Sequence, residues 1–152
     1  MGNVNDVKSL RDKTGISIMQ CQKALKDAGG DMEKALILLK KAGFDVAQKK
    51  QNRTLAAGAI GSYVHGTGDV GAMIELLCET DFVAKNEDFK KYAYNIAMHL
   101  AASPAETKEE LLAAPYIRDP QITVGDILAE IIQKFGENSD IGRFGRFSSS
   151  GR

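Results

Sequence analysis

The chain has little of what catalytic and ligand-binding centres are usually built from. Its 152 residues include two cysteines and two histidines. Cys21 and Cys78 stand 57 positions apart with no C-x-x-C pairing, which excludes a disulfide framework or a zinc site of ordinary spacing and suits a reducing compartment. No apolar run approaches the roughly 20 residues of a membrane-spanning helix. Asp6 interrupts the N-terminus too early for a secretory segment and stands where a myristoylation signal needs Ser or Thr, so the cytoplasm is the expected location, without membrane contact. Neither GxxxxGK[ST] nor GxGxxG is present, so a standard phosphate-binding loop is not expected. Twenty basic and twenty acidic side chains leave no net charge, which argues against a dedicated binder of nucleic acid or anionic lipid.

What is present is ordinary in amount and uneven in distribution. The length fits one domain, or one domain with a small module. Residues 1–53 carry eleven Lys and Arg against six acids, and the remainder carries nine against fourteen. A head with five excess positive charges thus precedes a body with five excess negative ones. No aromatic platform accompanies the basic residues, so direct nucleic-acid binding is not expected.

Periodicity divides the chain further. Asn3 or Asn5 can cap a first helix through about Lys13. Ser17 and Gln20 have the spacing of a capping box before Ile18, Cys21, Leu25 and Ala28. Asp31 caps a third helix, with Met32, Ala35, Leu36 and Leu39 on its buried stripe and Gly43 at its end. These make a three-helix bundle over residues 1–45, followed by a basic linker at 46–56. Two apolar, β-branched segments, Ala59 to His65 and Val70 to Cys78, flank a glycine-containing turn and predict a hairpin. On the second of them Ile74, Leu76 and Cys78 share one face. Glu87 to Ala102 reads as an amphipathic helix, Glu106 to Ala113 as a short charged one, and Thr123 with Asp126 opens a last helix that ends before Gly136. Ile141 to Phe147 can form a third strand. The predicted fold class is α+β: an N-terminal three-helix bundle, then a core at 57–147 made of a small antiparallel sheet packed with helices, then a disordered tail at 148–152.

Candidate chemistry is sparse. Cys78 lies beside Glu79 and Asp81, but a nucleophile needs a base within hydrogen-bond reach, and no local motif ties His65 or His99 to it. A buried strand cysteine is the better reading. His65 is placed at a strand end and His99 on the flank of its helix, without ligand roles. Thr80-Asp81-Phe82-Val83 is the unusual segment, because it sets two apolar side chains among polar ones where a strand turns into a helix. Phe82 either plugs the core or stands out as an aromatic anchor for a partner's pocket.

TDFVAKNEDF (Thr80 to Phe89) resembles the signature of the elongation factor Ts family, guanine-nucleotide exchange factors of elongation factor Tu. LRDKTGISIMQCQKAL (Leu10 to Leu25) resembles that family's N-terminal motif. IAMHLAA (Ile96 to Ala102), DPQITVGDILAEII (Asp119 to Ile132), and GEN followed by RFGRF (Gly136 to Phe147) resemble successive family blocks in the same order. The chain departs from the family in being short. Only about a dozen residues around Ser103 to Pro115 stand where members commonly carry a long insertion, and Gly142 and Gly145 occupy positions usually filled by larger residues.

The resemblance implies a ubiquitin-associated-like bundle that docks on the GTPase domain of elongation factor Tu through Arg11, Ile18 and Met19. From the residues alone, Met19 lies off the helix stripe, while Ile18 fits either core or surface. The resemblance further implies that Thr80, Asp81, Phe82 and Val83 intrude near the partner's magnesium site and promote release of GDP. No catalytic residue, cofactor or metal of its own is implied. A non-catalytic adaptor, binding a peptide or helix through the bundle, is the alternative. Short family members can also form homodimers, which an exposed third strand would permit.

Overall fold

The structure is a computed structural model that describes residues 4–150. Its first three elements are α1 (Val4–Thr14), α2 (Ile18–Asp27) and α3 (Met32–Lys50). Asn5 lies inside α1, and Asn3 falls outside the described residues. Val7, Leu10, Ile16, Cys21, Leu25, Ala35 and Leu39 form a closed core for this bundle. Ile16, not Ile18, takes the core position at the start of α2. Ser17 caps α2 by accepting from the Gln20 amide at 3.3 Å, but Gln20 turns its own oxygen to the Ser17 hydroxyl, so the expected box is only half formed.

Gly43 does not end α3. The helix runs through it to Lys50 and passes there beside α7 (Val124–Phe135). A Cβ at Gly43 would lie 2.8 Å from the Gln133 side-chain oxygen and 3.7 Å from the Ala129 carbonyl oxygen. The first five residues of the expected linker, 46–50, are therefore helical, and Val46 and Ala47 among them pack on the main core.

That core belongs to the α+β body. Strands β1 (Ala57–Val64), β2 (Val70–Cys78) and β5 (Asp140–Ser148) form an antiparallel sheet in the order β1-β2-β5. Alternation along β2 sends Ala72, Ile74, Leu76 and Cys78 inward, as the period of two requires. Helix α5 (Glu87–Ala102) lies against this inner face with Phe89, Ala93, Ile96 and Leu100 buried. It sits so close to β1 that a Cβ at Gly61 would fall 2.2 Å from the Ala93 carbonyl oxygen. Helices α6 (Lys108–Ala113) and α7 (Val124–Phe135) complete the layer, the latter opened by the full Thr123–Asp126 capping box and closed by Gly136 in the left-handed region.

Two further features differ from expectation. A small hairpin of β3 (Pro115–Tyr116) and β4 (Asp119–Thr123) stands where the sequence predicts no strand. It covers His99, which is fully buried instead of on a helix flank. The His99 ring stacks on Tyr116, with centroids 5.8 Å apart, and its Nδ1 accepts from the Ile117 amide at 3.1 Å. At the other end, Ser148 belongs to β5 and the Ser149 amide donates to the Asp69 carbonyl at 2.8 Å. Of the expected disordered tail, Gly151 and Arg152 fall outside the described residues.

Candidate functional site

At the end of β2 the chain makes a single helical turn, α4 (Asp81–Ala84), before Asn86 caps α5. Thr80 opens it, its hydroxyl accepting from the Val83 amide at 3.4 Å. Val83 and Ala84 turn inward and are buried. One turn of helix cannot bury four consecutive side chains, so the remaining two point away: Asp81 is exposed, and Phe82 is 87% exposed. Of the two readings of Phe82, the core plug is excluded. Val83 does that work, and the aromatic ring stands out beside a carboxylate.

The turn is braced by residues distant in the chain. A single carboxylate, that of Glu137, accepts from the Glu79 amide and the Thr80 amide, both at 3.1 Å, and from the Thr80 hydroxyl at 2.7 Å. Glu79 returns the contact by accepting from the Asn138 amide at 2.7 Å, and its carboxylate faces the Arg53 guanidinium at 3.6 Å. The Asn138 side-chain amide donates to the Arg53 carbonyl at 2.8 Å. Glu79, Glu137, Asn138 and Arg53 were not singled out as site residues in the sequence. The signal available was the G-E-N block, which marked 136–138 without saying what it touches.

Cys78 is adjacent but inert. Burial, aided by the nearby Glu137 charge, pushes its thiol up to about 11, and the thiol donates to the Thr80 carbonyl at 3.3 Å. Such a group is neither ionised nor free to attack. His99 is fixed under its hairpin, and burial pulls its pKa down. Among the described residues no cluster of His, Cys, Asp or Glu could hold a metal ion, and no helix is long and apolar enough to cross a membrane. What the site offers is shape, a protruding aromatic ring and an exposed carboxylate on a braced turn.

The sequence-predicted docking residues lie on the bundle, apart in the chain from this turn. Met19 is 80% exposed and Ile18 49% exposed on α2, and Arg11 is exposed on α1. Ile18 is therefore a surface residue, its core alternative having gone to Ile16.

Comparison with known proteins gives the arrangement a context. The family model described as Elongation factor TS matches residues 79–152, from Glu79 through the turn to the last strand. Curated relatives extend the match to the bundle. Elongation factor Ts of Solidesulfovibrio magneticus is 36% identical over 187 aligned positions, covering 93% of this chain and 94% of the relative. That of Carboxydothermus hydrogenoformans is 38% identical, covering 93% and 86%, and that of Clostridium kluyveri is 43% identical over 144 positions, covering 95% of this chain and 47% of the relative. The 187-position alignment is longer than the whole 152-residue chain, so that relative carries residues inside the aligned span that are missing here. A chain matched from bundle to last strand at this identity, and carrying the exposed turn at the start of the family's own matched region, belongs to the elongation factor Ts family.

Proposed function

We propose that this chain binds elongation factor Tu in its GDP-bound and nucleotide-free forms and promotes release of GDP so that GTP can rebind. As a family member it is a translation elongation factor. The observation that carries the finer reading is Phe82: a large apolar side chain left 87% exposed on a turn that its neighbours hold in place. Surface aromatics of this kind anchor protein interfaces. The bundle docks on the partner's GTPase domain through Arg11, Ile18 and Met19. Thr80 to Val83 then bring Asp81 and Phe82 against the groups that hold the magnesium ion and the phosphates. GDP is retained mainly by those contacts, so a wedge that fits only their disturbed arrangement stabilises the nucleotide-free state and raises the off-rate. Linkage makes the effect reciprocal, so GDP weakens binding of the factor as much as the factor weakens GDP. The chain acts by binding alone, as a non-enzyme without cofactor or nucleic acid, in the cytoplasm where its partner works.

The test is release of a fluorescent GDP analogue from elongation factor Tu on addition of the chain. Acceleration that saturates with the chain, together with capture of nucleotide-free partner that GDP and magnesium reverse, is the expected result. Unchanged release refutes the reading.

The sheet favours homodimer formation as a second property. Ile60, Val64, Met73 and Phe147 are exposed on its outer face, opposite α5, and β1 and β5 are both edges. A solution mass of two chains is expected, and a monomer at all concentrations refutes it.

A further inference from the structure

We propose that Glu137, together with Asn138, is the positioning element of the exchange wedge and registers it against the docking bundle, an inference that rests on the reading of Thr80 to Val83 given above. A helix of one turn has no stability of its own, because nucleation costs more than one turn of hydrogen bonds returns. The direction in which α4 presents Phe82 must therefore be imposed from outside it. Burial of Val83 and Ala84 fixes its depth. Its orientation about that anchor is set at its N-terminal end, where the Glu137 carboxylate takes three donors at once from Glu79 and Thr80.

The third of these bonds reaches into the cap. The Thr80 hydroxyl has one proton. Giving it to Glu137 at 2.7 Å leaves an oxygen lone pair for the Val83 amide at 3.4 Å. Glu137 thereby selects the hydroxyl rotamer that caps α4. Bonds to an ionised acceptor are about twice as strong as neutral ones, so one side chain at the end of α7 dominates the polar support of the turn.

The same three-residue corner also takes hold of the segment that arrives from the bundle. Lys50 at the end of α3 donates to the Gly136 carbonyl at 2.5 Å, and Asn138 donates to the Arg53 carbonyl at 2.8 Å. Arg53 faces Glu79, which accepts from Asn138. The end of the docking module and the base of the wedge thus meet on residues 136–138. A partner gripped by Ile18 and Met19 receives the wedge at a fixed offset, and a small misplacement of a reacting or wedging group is costly in rate.

The experiment measures GDP-analogue release from elongation factor Tu across a titration of wild type, Glu137→Ala and Glu137→Gln, with amide hydrogen exchange on the free chains. In Glu137→Ala the maximal rate is expected to fall about tenfold or more while the half-saturating concentration stays within about twofold. The Glu79 and Thr80 amides should lose protection while those of Ile74 and Leu76 in β2 keep theirs. Glutamine keeps one oxygen for the two amides but loses the charge and the acceptor of the Thr80 hydroxyl proton, so Glu137→Gln should fall between wild type and Glu137→Ala in maximal rate. If Glu137→Ala does not fold, Glu137→Asp, whose shorter side chain withdraws the carboxylate, must show the same split. A folded alanine variant, or failing that the aspartate variant, with wild-type maximal rate overturns the proposal, and so does a loss confined to half-saturation. Phe82→Ala run alongside separates the two levels: a wild-type chain that releases no GDP fails the reading of the site, whereas loss in Phe82→Ala without loss in Glu137→Ala fails only the positioning role.

Discussion

Phe82→Ala sets the cost of folding against the cost of exchange at a single side chain. In the free chain little more than a tenth of the residue is shielded. Full burial of a phenylalanine is worth about 1.5–3 kcal/mol, so the shielded fraction contributes about 0.3 kcal/mol. Urea unfolding of the variant should therefore match wild type within about 0.5 kcal/mol, as for most surface substitutions. In the complex the same ring becomes an interface anchor, and truncating an anchor costs about 2–4 kcal/mol. At about 1.4 kcal/mol per factor of ten, that is a loss of about 30- to 700-fold. Because the contact is made with the nucleotide-free arrangement, the loss belongs in the maximal rate of GDP release, read by stopped-flow with a fluorescent analogue. Phe89→Ala is the control. Phe89 is fully buried and meets Phe135 edge-on with centroids 5.4 Å apart, so its removal should cost about 3–5 kcal/mol of stability and lose exchange only through unfolding. A folded Phe82→Ala that releases GDP at the wild-type rate, or one destabilised as much as Phe89→Ala, would refute the reasoning.

Three further outcomes follow from the packing. His99 is buried with its pKa lowered by desolvation, so the native state resists a proton that the unfolded chain accepts. Its contribution is complete above about pH 6.5 and is lost as the pH falls from there toward the native pKa, by at most about 1.4 kcal/mol per unit. Urea midpoints at pH 7.5 and 5.5 for wild type and His99→Gln should differ more for wild type, and equal pH responses would contradict this. Gly61→Ala places a methyl group against the α5 backbone at Ala93 and should cost about 1–3 kcal/mol or more in thermal unfolding; a change below about 0.5 kcal/mol would show that α5 can lift freely. Gly43→Ala meets chiefly the flexible end of Gln133, and alanine is favoured over glycine within a helix by about 1 kcal/mol. It should be neutral or stabilising, and a loss above about 1 kcal/mol would show that Gln133 cannot move.

Signals confined to a few adjacent residues were legible in the sequence. Thr123 at the N-cap of α7, the bounds of α5 and the inward face of β2 follow from spacing and appear as expected. The elements that were misread depend on neighbours distant in the chain. Gly43 has the appearance of a helix stop, but α3 continues through it alongside α7. The β3–β4 hairpin turns at Ile117 and Arg118, which lack the Gly and Asn that advertise a tight turn, and the burial of His99 depends on that hairpin. For the site, Phe82 was visible as an oddity in composition, and only the inward turn of Val83 resolved which way it points. Glu137 and Asn138 reach partners 57 to 87 positions away. No local pattern encodes such a contact.

The continuity of α3 bears on how the protein can be divided. Nineteen residues of helix make a rod of roughly 28 Å. Its first half supplies Ala35 and Leu39 to one core, and its second half lays Val46 and Ala47 on the other. Lys40, midway, pairs with Asp126 of α7 at 2.9 Å. A cut after residue 45, where composition suggests a boundary, would sever a helix and strip each fragment of part of its support. The two cores are therefore expected to melt in one transition, and limited proteolysis of the folded chain should spare residues 45–50 and favour the exposed turn at Gly66 to Asp69.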